Sequence, residues 1–249
     1  MRLYKADLHI HTVLSPCGDL EMSPSAVIKK AIEAGLEIIA ITDHNSTKNC
    51  SAYIKKGEQA GIVVLPGVEI QTSEEIHLIA VFPNLLIAEK FDRLIYNSLL
   101  PIENNPDFFG DQVIIDAEEN ILGIEERALI NSSLWSLDEA VREVRNAGGV
   151  CFPAHVDASS YSLLGQLGFI PPDLQFKTLG ITAKCKIDRL MAQYPFVKEY
   201  QLIRNSDSHY IEQIGTGYSN LYLEKPTFEE IASAINNTDG RFIKPAELS

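Results

Sequence analysis

The feature that most restricts the fold of this 249-residue chain is a steady alternation of short apolar runs with helix-forming stretches. Leu3–Leu8 reads as a strand. Ser23 and Pro24 open a helix, the serine as its cap and the proline in its first turn, and Gly35 ends it. Glu37–Thr42 contains Ile38, Ile39, Ala40 and Ile41 in succession, the pattern of a strand covered on both faces. A second helix, Thr47–Ala60, stops at Gly61. Further strands are expected at Ile62–Leu65, Ile76–Phe82, Val150–Ala154, Leu179–Ile181 and Tyr200–Arg204. Ser136 with Glu139, and Thr227 with Glu230, have the spacing of capping boxes and start two more helices. This alternation predicts an α/β fold with a mostly parallel sheet. Neither G-x-G-x-x-G nor G-x-x-x-x-G-K-[ST] occurs, so no nucleotide-cradling loop of those types is expected.

Residues 84–135 break the rhythm. They hold a helical piece around Ile87–Leu100, a loop signal at Asn104-Asn105-Pro106-Asp107, and two apolar runs flanking Asp116–Asn120 that read as a hairpin. The segment is taken as an insertion into a single domain, able to shape a substrate pocket.

The six histidines carry the functional message. His9 and His11 lie two apart at the end of the first strand, so both project from one face, where two imidazoles can grip one metal. His44 follows the second strand, Glu69 the third, and His77 lies near the fourth. His155 follows a later strand, and Asp207 and His209 repeat the i, i+2 spacing. Side chains from many strand ends meet at one mouth only if the sheet closes into a barrel, so a distorted barrel is expected over an open sheet. With Asp19, in the loop after the first strand, the ligand-type residues suffice for two or three metals. Imidazole and carboxylate together suit Zn, Mn or Fe over Mg or Ca. At least three of the four cysteines are expected as free thiols; the reservation is Cys17, two residues before Asp19, where a thiol could bind metal.

These residues resemble the PHP (polymerase and histidinol phosphatase) superfamily of metal-dependent phosphoesterases. The matching segments are Asp7-Leu8-His9-Ile10-His11-Thr12, Thr42-Asp43-His44-Asn45, Gly67-Val68-Glu69, His77, His155 and Ser206-Asp207-Ser208-His209. The resemblance implies a distorted (β/α)7 TIM-like barrel and a trinuclear centre. One metal would take His9, His11, Glu69 and Asp207. Glu69 would bridge to a second, held also by His77 and His155. A third would take Asp19, His44 and His209, and some members have histidine where this chain has Asp19. Asp7 and Asp43 would orient neighbouring ligands.

The implied activity is hydrolysis of a small phosphorylated metabolite, histidinol-phosphatase-like, by a hydroxide held between two metals. Glu69, Asp207 and His209 are its candidate catalytic residues, the last two as proton relays. Arg127, Tyr161 and Lys184 are candidate substrate contacts, with Lys186 beside them. The alternative is a nuclease of the same family acting on short oligonucleotides or nucleotides. The net charge of −13 argues against a long nucleic acid as partner. The absence of an 18-residue apolar run or a leader-like N-terminus argues for a cytoplasmic location with no membrane partner.

Overall fold

The computed structural model describes residues 1–247. Strand β1 (Arg2–Ile10) leads through α1 (Pro24–Glu33) to β2 (Ile38–Ile41), then through α2 (Cys50–Ala60) to β3 (Val63–Gln71). β1, β2 and β3 pair in parallel, as two β-α-β crossovers require. In β2, Ile38 and Ala40 pack into the hollow of the sheet, while Ile39 and Ile41 pack under α1 and α2. Four apolar residues in a row are therefore all buried.

The expected run of parallel units ends at β3. A tight turn joins it to β4 (His77–Val81), which must then run antiparallel, with Gln71 opposite His77. β7 (Val150–Pro153) returns antiparallel to β4 and so parallel to β3. At the other edge β10 (Ser219–Leu223) adds antiparallel to β1, and β11 (Phe242–Pro245) antiparallel to β10. The main sheet is thus mixed and curled, in the order β11-β10-β1-β2-β3-β4-β7, in place of seven parallel β/α units. A separate parallel pair, β8 (Thr178–Ile181) and β9 (Gln201–Arg204), stands at its open side. Val156 N donates to Gly180 O at 2.7 Å and His11 N to Ser208 O at 3.0 Å, tying that pair to both flanks.

Between β4 and β7 lie α3 (Leu85–Ser98), α4 (Pro106–Phe109), the hairpin β5 (Val113–Ile115) and β6 (Ile121–Ile124), and α5 (Leu137–Asn146). Residues 84–135 are anchored to the rest of the chain by Asn45, whose Nδ2 donates to Leu129 O and Asn131 O, both at 2.9 Å. The Ser136–Glu139 capping box forms at the start of α5. The Thr227–Glu230 pair does not cap α8 (Phe228–Ile235). Arg241 binds the Glu230 carboxylate through Nε at 3.0 Å and Nη2 at 2.6 Å, a stronger charge-assisted pairing than a cap can offer. The remaining helices are α6 (Leu163–Leu167) and α7 (Ile187–Gln193). Among the described residues no helix is long and apolar enough to cross a membrane.

Candidate metal centre

Antiparallel pairing brings the start of β4 to the same mouth as the ends of β1, β2, β3 and β7. His77 therefore joins the cluster from an N-terminal strand end. Asp207 and His155 reach it on backbone with φ of +54° and +26°, in the left-handed region. Such backbone costs a non-glycine residue about 1–3 kcal/mol and persists where surrounding structure enforces it.

Glu69 is the hub of the cluster, and is almost fully buried. Its Oε1 lies 2.9 Å from His77 Nδ1, 3.1 Å from His9 Nε2 and 3.4 Å from His155 Nε2. Its Oε2 lies 3.1 Å from His44 Nδ1 and 3.3 Å from His11 Nε2. Asp207 Oδ1 approaches His9 Nε2 at 3.2 Å and His11 Nε2 at 3.3 Å. Yet Glu69 Oε1, Asp207 Oδ1 and His44 Nδ1 are buried without a hydrogen bond of acceptable geometry. These three atoms are crowded by other donor atoms without a partner of their own, as atoms aimed at shared ions are, although His9 Nε2 and His11 Nε2 contact each other at 3.0 Å and His155 Nε2 and His77 Nδ1 at 3.3 Å. Three groups of ligand atoms converge within 4.8 Å: His9 with His11 and Glu69, His44 with Glu69 and His77, and His11 with His44 and His209. Imidazole and carboxylate donors at these spacings fit divalent transition metals.

Outer contacts fix which nitrogen each ring presents. His77 Nε2 lies 3.1 Å from Gln71 Oε1, and the Gln71 amide nitrogen is spent on Ser132 Oγ at 2.9 Å. Nε2 is thus the protonated nitrogen, and Nδ1 offers its lone pair to the cluster. His209 Nδ1 donates to Asp207 O at 2.9 Å, leaving Nε2 free. His11 Nδ1 rests on Ser15 Oγ at 2.8 Å, and that hydroxyl donates to Asp43 Oδ1 at 2.7 Å. Gln71→Leu keeps the volume and removes the acceptor. We expect it to weaken metal binding around His77 by about 10–100-fold, read by competition with a fluorescent chelator. Unchanged affinity would show that Gln71 does not hold the ring.

Burial opposes charge on these groups, and their mutual contacts overcome it. For Glu69, desolvation is outweighed by His77, His9 and His44, which hold its carboxyl well below the usual range. Asp207 is likewise lowered, by His9 and His11. Asp7, fully buried behind His9 with Ser206 N at 3.1 Å, is pushed up to about 7 chiefly by desolvation.

The remaining sequence candidates divide. Tyr161 lines a cavity of about 320 Å³ over the cluster, with Ile130 opposite, and stacks on His77 at 4.9 Å between ring centroids. Lys184 lies outside it, in a neighbouring cavity of about 410 Å³ that shares the lining residue Ala158. Arg127 reaches neither. Its guanidinium sits on the Tyr96 ring and donates to Tyr96 O at 2.7 Å, so it closes the end of α3 instead of meeting substrate. Asp19 is not among the converging ligands. Its carboxylate accepts from Glu21 N at 2.8 Å within its own loop. Sequence reasoning missed Ser15 and Gln71. Gln71 follows Glu69 by two along β3, so the strand period could have placed it on the same face.

A curled α/β sheet carrying buried imidazoles and carboxylates at its mouth defines a metal-dependent hydrolase. The chain belongs to the PHP domain family: the family's model matches residues 7–147. Members are metal-dependent hydrolases of phosphoester bonds. The Methanocaldococcus jannaschii protein MJ1587 is 38% identical over 78 residues, 28% of this chain and 46% of its own. The 5'-3' exoribonuclease Rnm of Salmonella typhimurium is 35% identical over 78 residues, 29% of this chain and 26% of its own. The chain thus spans less than half the length of either relative. Among solved structures, the lesion-specific endonuclease Q of Pyrococcus furiosus has a TM-score of 0.68 at 18% identity, covering 97% of this chain and 57% of its own. Endonuclease Q in complex with a 27-mer duplex, an abasic lesion at the active site, also gives 0.68, at 17% identity over 96% and 58%.

That complex overturns the expectation that no long nucleic acid can be a partner. The inference failed because net charge averages over the whole surface, whereas a polyanion meets one groove. Lys184, Lys186 and Arg189 all line the 410 Å³ cavity beside the centre. All three are exposed, and none makes an ion pair among the described residues.

Proposed function

We propose that this chain is a PHP-type nuclease that hydrolyses phosphodiester bonds of a nucleic acid strand at a centre of two or three divalent metals. The observation that carries the reading is the adjacency of two cavities. One holds the ligand cluster, and the other, which shares the lining residue Ala158 with it, is lined by three unpaired cations. A phosphomonoester needs only the first; a strand running through both would have its neighbouring phosphates neutralised. The exoribonuclease and endonuclease relatives support the same class of substrate.

His9, His11, Glu69 and Asp207 would hold one metal, and Glu69, His77 and His155 a second. Bound metals supply charge for the phosphoryl oxygens and an acidified water as nucleophile. The protein's part is positional. Glu69 presents both oxygens to the cluster, while Gln71, Ser15 and the Asp207 carbonyl lock imidazole tautomers. Tyr161 covers the His77 ring and narrows the approach. Lys184, Lys186 and Arg189 would receive the phosphates on one side of the cleaved bond.

The test is cleavage of single-stranded and duplex RNA and DNA, set against a panel of phosphorylated metabolites, with Mn, Zn or Fe supplied separately. Hydrolysis of monoesters with oligonucleotides untouched would replace this reading with a small-molecule phosphatase. A further expectation concerns salt. Replacing Lys184, Lys186 and Arg189 together with alanine should flatten the log affinity–log salt slope for single strands by about 2, at ~0.7 per lost phosphate contact. An unchanged slope would place the strand elsewhere.

A further inference from the structure

We infer that Tyr161 and Ile130 are the two walls of a nucleobase slot over the ligand cluster, which takes by its faces the base of a nucleotide beside the cleaved phosphodiester. The inference rests on the nuclease reading above. Both residues line the cavity of about 320 Å³ that holds the cluster, and ligand pockets begin at about 300 Å³. Each wall is fixed from behind. Tyr161 has a φ of +54°, in the left-handed region, where a non-glycine residue persists only under constraint. Its carbonyl accepts from His77 N at 2.9 Å. The next residue, Ser162, caps α6 by accepting from Gly165 N at 3.0 Å and donates to Ala158 O at 2.6 Å. Ile130 sits between the two carbonyls that Asn45 Nδ2 binds, Leu129 O and Asn131 O. Asn45 is itself buried and locked, its N donating to Glu69 O at 2.8 Å and its Oδ1 accepting from Gln71 N at 3.0 Å. The inserted segment thus brings an apolar side chain to the centre through the residue that follows His44.

One face of the Tyr161 ring lies on the His77 imidazole, at 17° and 4.9 Å between centroids, yet the residue is 44% exposed. The outer face is therefore open to a further flat ring. A phosphoryl group is drawn to metals and cations and gains nothing from either wall, whereas a base has two faces to bury. The polar side chains nearby are largely engaged. Gln71 is held by His77 and Ser132, and the Thr182 hydroxyl donates to Asp157 Oδ2 at 2.6 Å. With few groups left to read a base edge, the grip comes from stacking, which every base can supply. The slot therefore favours strands that carry bases over bare phosphodiesters, without preferring one sequence.

The test uses metal-loaded protein and a series of single-stranded oligonucleotides, identical except for one abasic residue moved along the strand. Cleavage beside the abasic residue should slow by about tenfold or more, chiefly through KM, while bonds elsewhere keep their rate. Tyr161→Ala should raise KM for the intact strand by a similar factor and should cleave intact and abasic strands alike. Tyr161→Phe, which keeps the ring, should behave as wild type. Elemental analysis should show unchanged metal in Tyr161→Ala, because Gln71 still holds the His77 ring. Should that variant lose metal, Ile130→Ala decides from the other wall. It should raise KM for the intact strand by about fourfold or more, the worth of one buried methylene, with less effect on the abasic strand. A flat abasic series, or variants that slow both strands equally, would overturn the slot while cleavage itself upholds the nuclease reading. No cleavage of any oligonucleotide would remove both.

Discussion

Glu69→Gln should empty most of the centre and lower turnover by more than about a hundredfold. Losing a group that merely orients a ligand already costs about 10–100-fold in metal affinity, and Glu69 is proposed as a ligand itself. Its two oxygens lie within 3.4 Å of five imidazoles: His9, His11, His44, His77 and His155. Glutamine preserves the shape but removes the anion. It also turns one acceptor into an NH2 that points its hydrogens at nitrogens meant to bind metal. The two metals assigned to this carboxylate should therefore be lost together. Elemental analysis of chelator-free preparations checks this beside the rate. Retention of two equivalents in Glu69→Gln would show that the hub of the centre is wrongly placed.

The reasons some of this was legible in the sequence and some was not are physical. β2 declared itself because a strand covered on both faces can hold nothing polar. The convergence of His9 and His11 was legible because period-two spacing along β1 fixes a face. Strand direction is different: parallel and antiparallel partners bury the same residues, so nothing in Ile76–Phe82 distinguishes a crossover from a hairpin. Hence the parallel barrel became a mixed sheet, although His77 still arrived at the mouth, opposite Gln71. β10 and β11 were not foreseen. They are edge additions with half their residues partly exposed, and their apolar signal is weak. In the loop after β1, position and the family resemblance pointed to Asp19 as a ligand, but a Pro/Gly turn sets side-chain direction through local hydrogen bonds that spacing cannot reveal, and its carboxylate accepts from Glu21 N. Thr227–Glu230 had the right spacing for a cap, and a distant arginine claimed the glutamate. Charge failed for a related reason, since Lys184, Lys186 and Arg189 come together in one cavity of a strongly acidic chain.

Asp43→Asn should destabilise the metal-free protein by about 1–3 kcal/mol, far more than the loss of one surface charge. Asp43 is almost fully buried. Its Oδ1 accepts from Thr12 N and Ser15 Oγ, and its Oδ2 from Thr12 Oγ1, all at 2.7 Å. Thr12 Oγ1 in turn accepts from Leu14 N and from Asn49 Nδ2, both at 3.1 Å, so its own proton must go to Asp43. Asparagine cannot satisfy this set in either orientation. With its oxygen on the Oδ1 side, its NH2 meets the Thr12 hydroxyl proton. Flipped, its NH2 meets the Thr12 backbone N–H. One buried donor faces another in both cases, and the site is too enclosed for rotation to relieve it. The damage should spread along the path that Asp43 holds together, from Ser15 to the His11 ring and on to the turn that carries Cys17. Urea unfolding gives the stability. Glu118→Gln, which breaks only an exposed pair with Lys55, is the control and should stay within about 0.5 kcal/mol of wild type. If Asp43→Asn matches that control, the carboxylate is not the clamp that fixes this loop against the centre, and the orientation of His11 must be set by its metal alone.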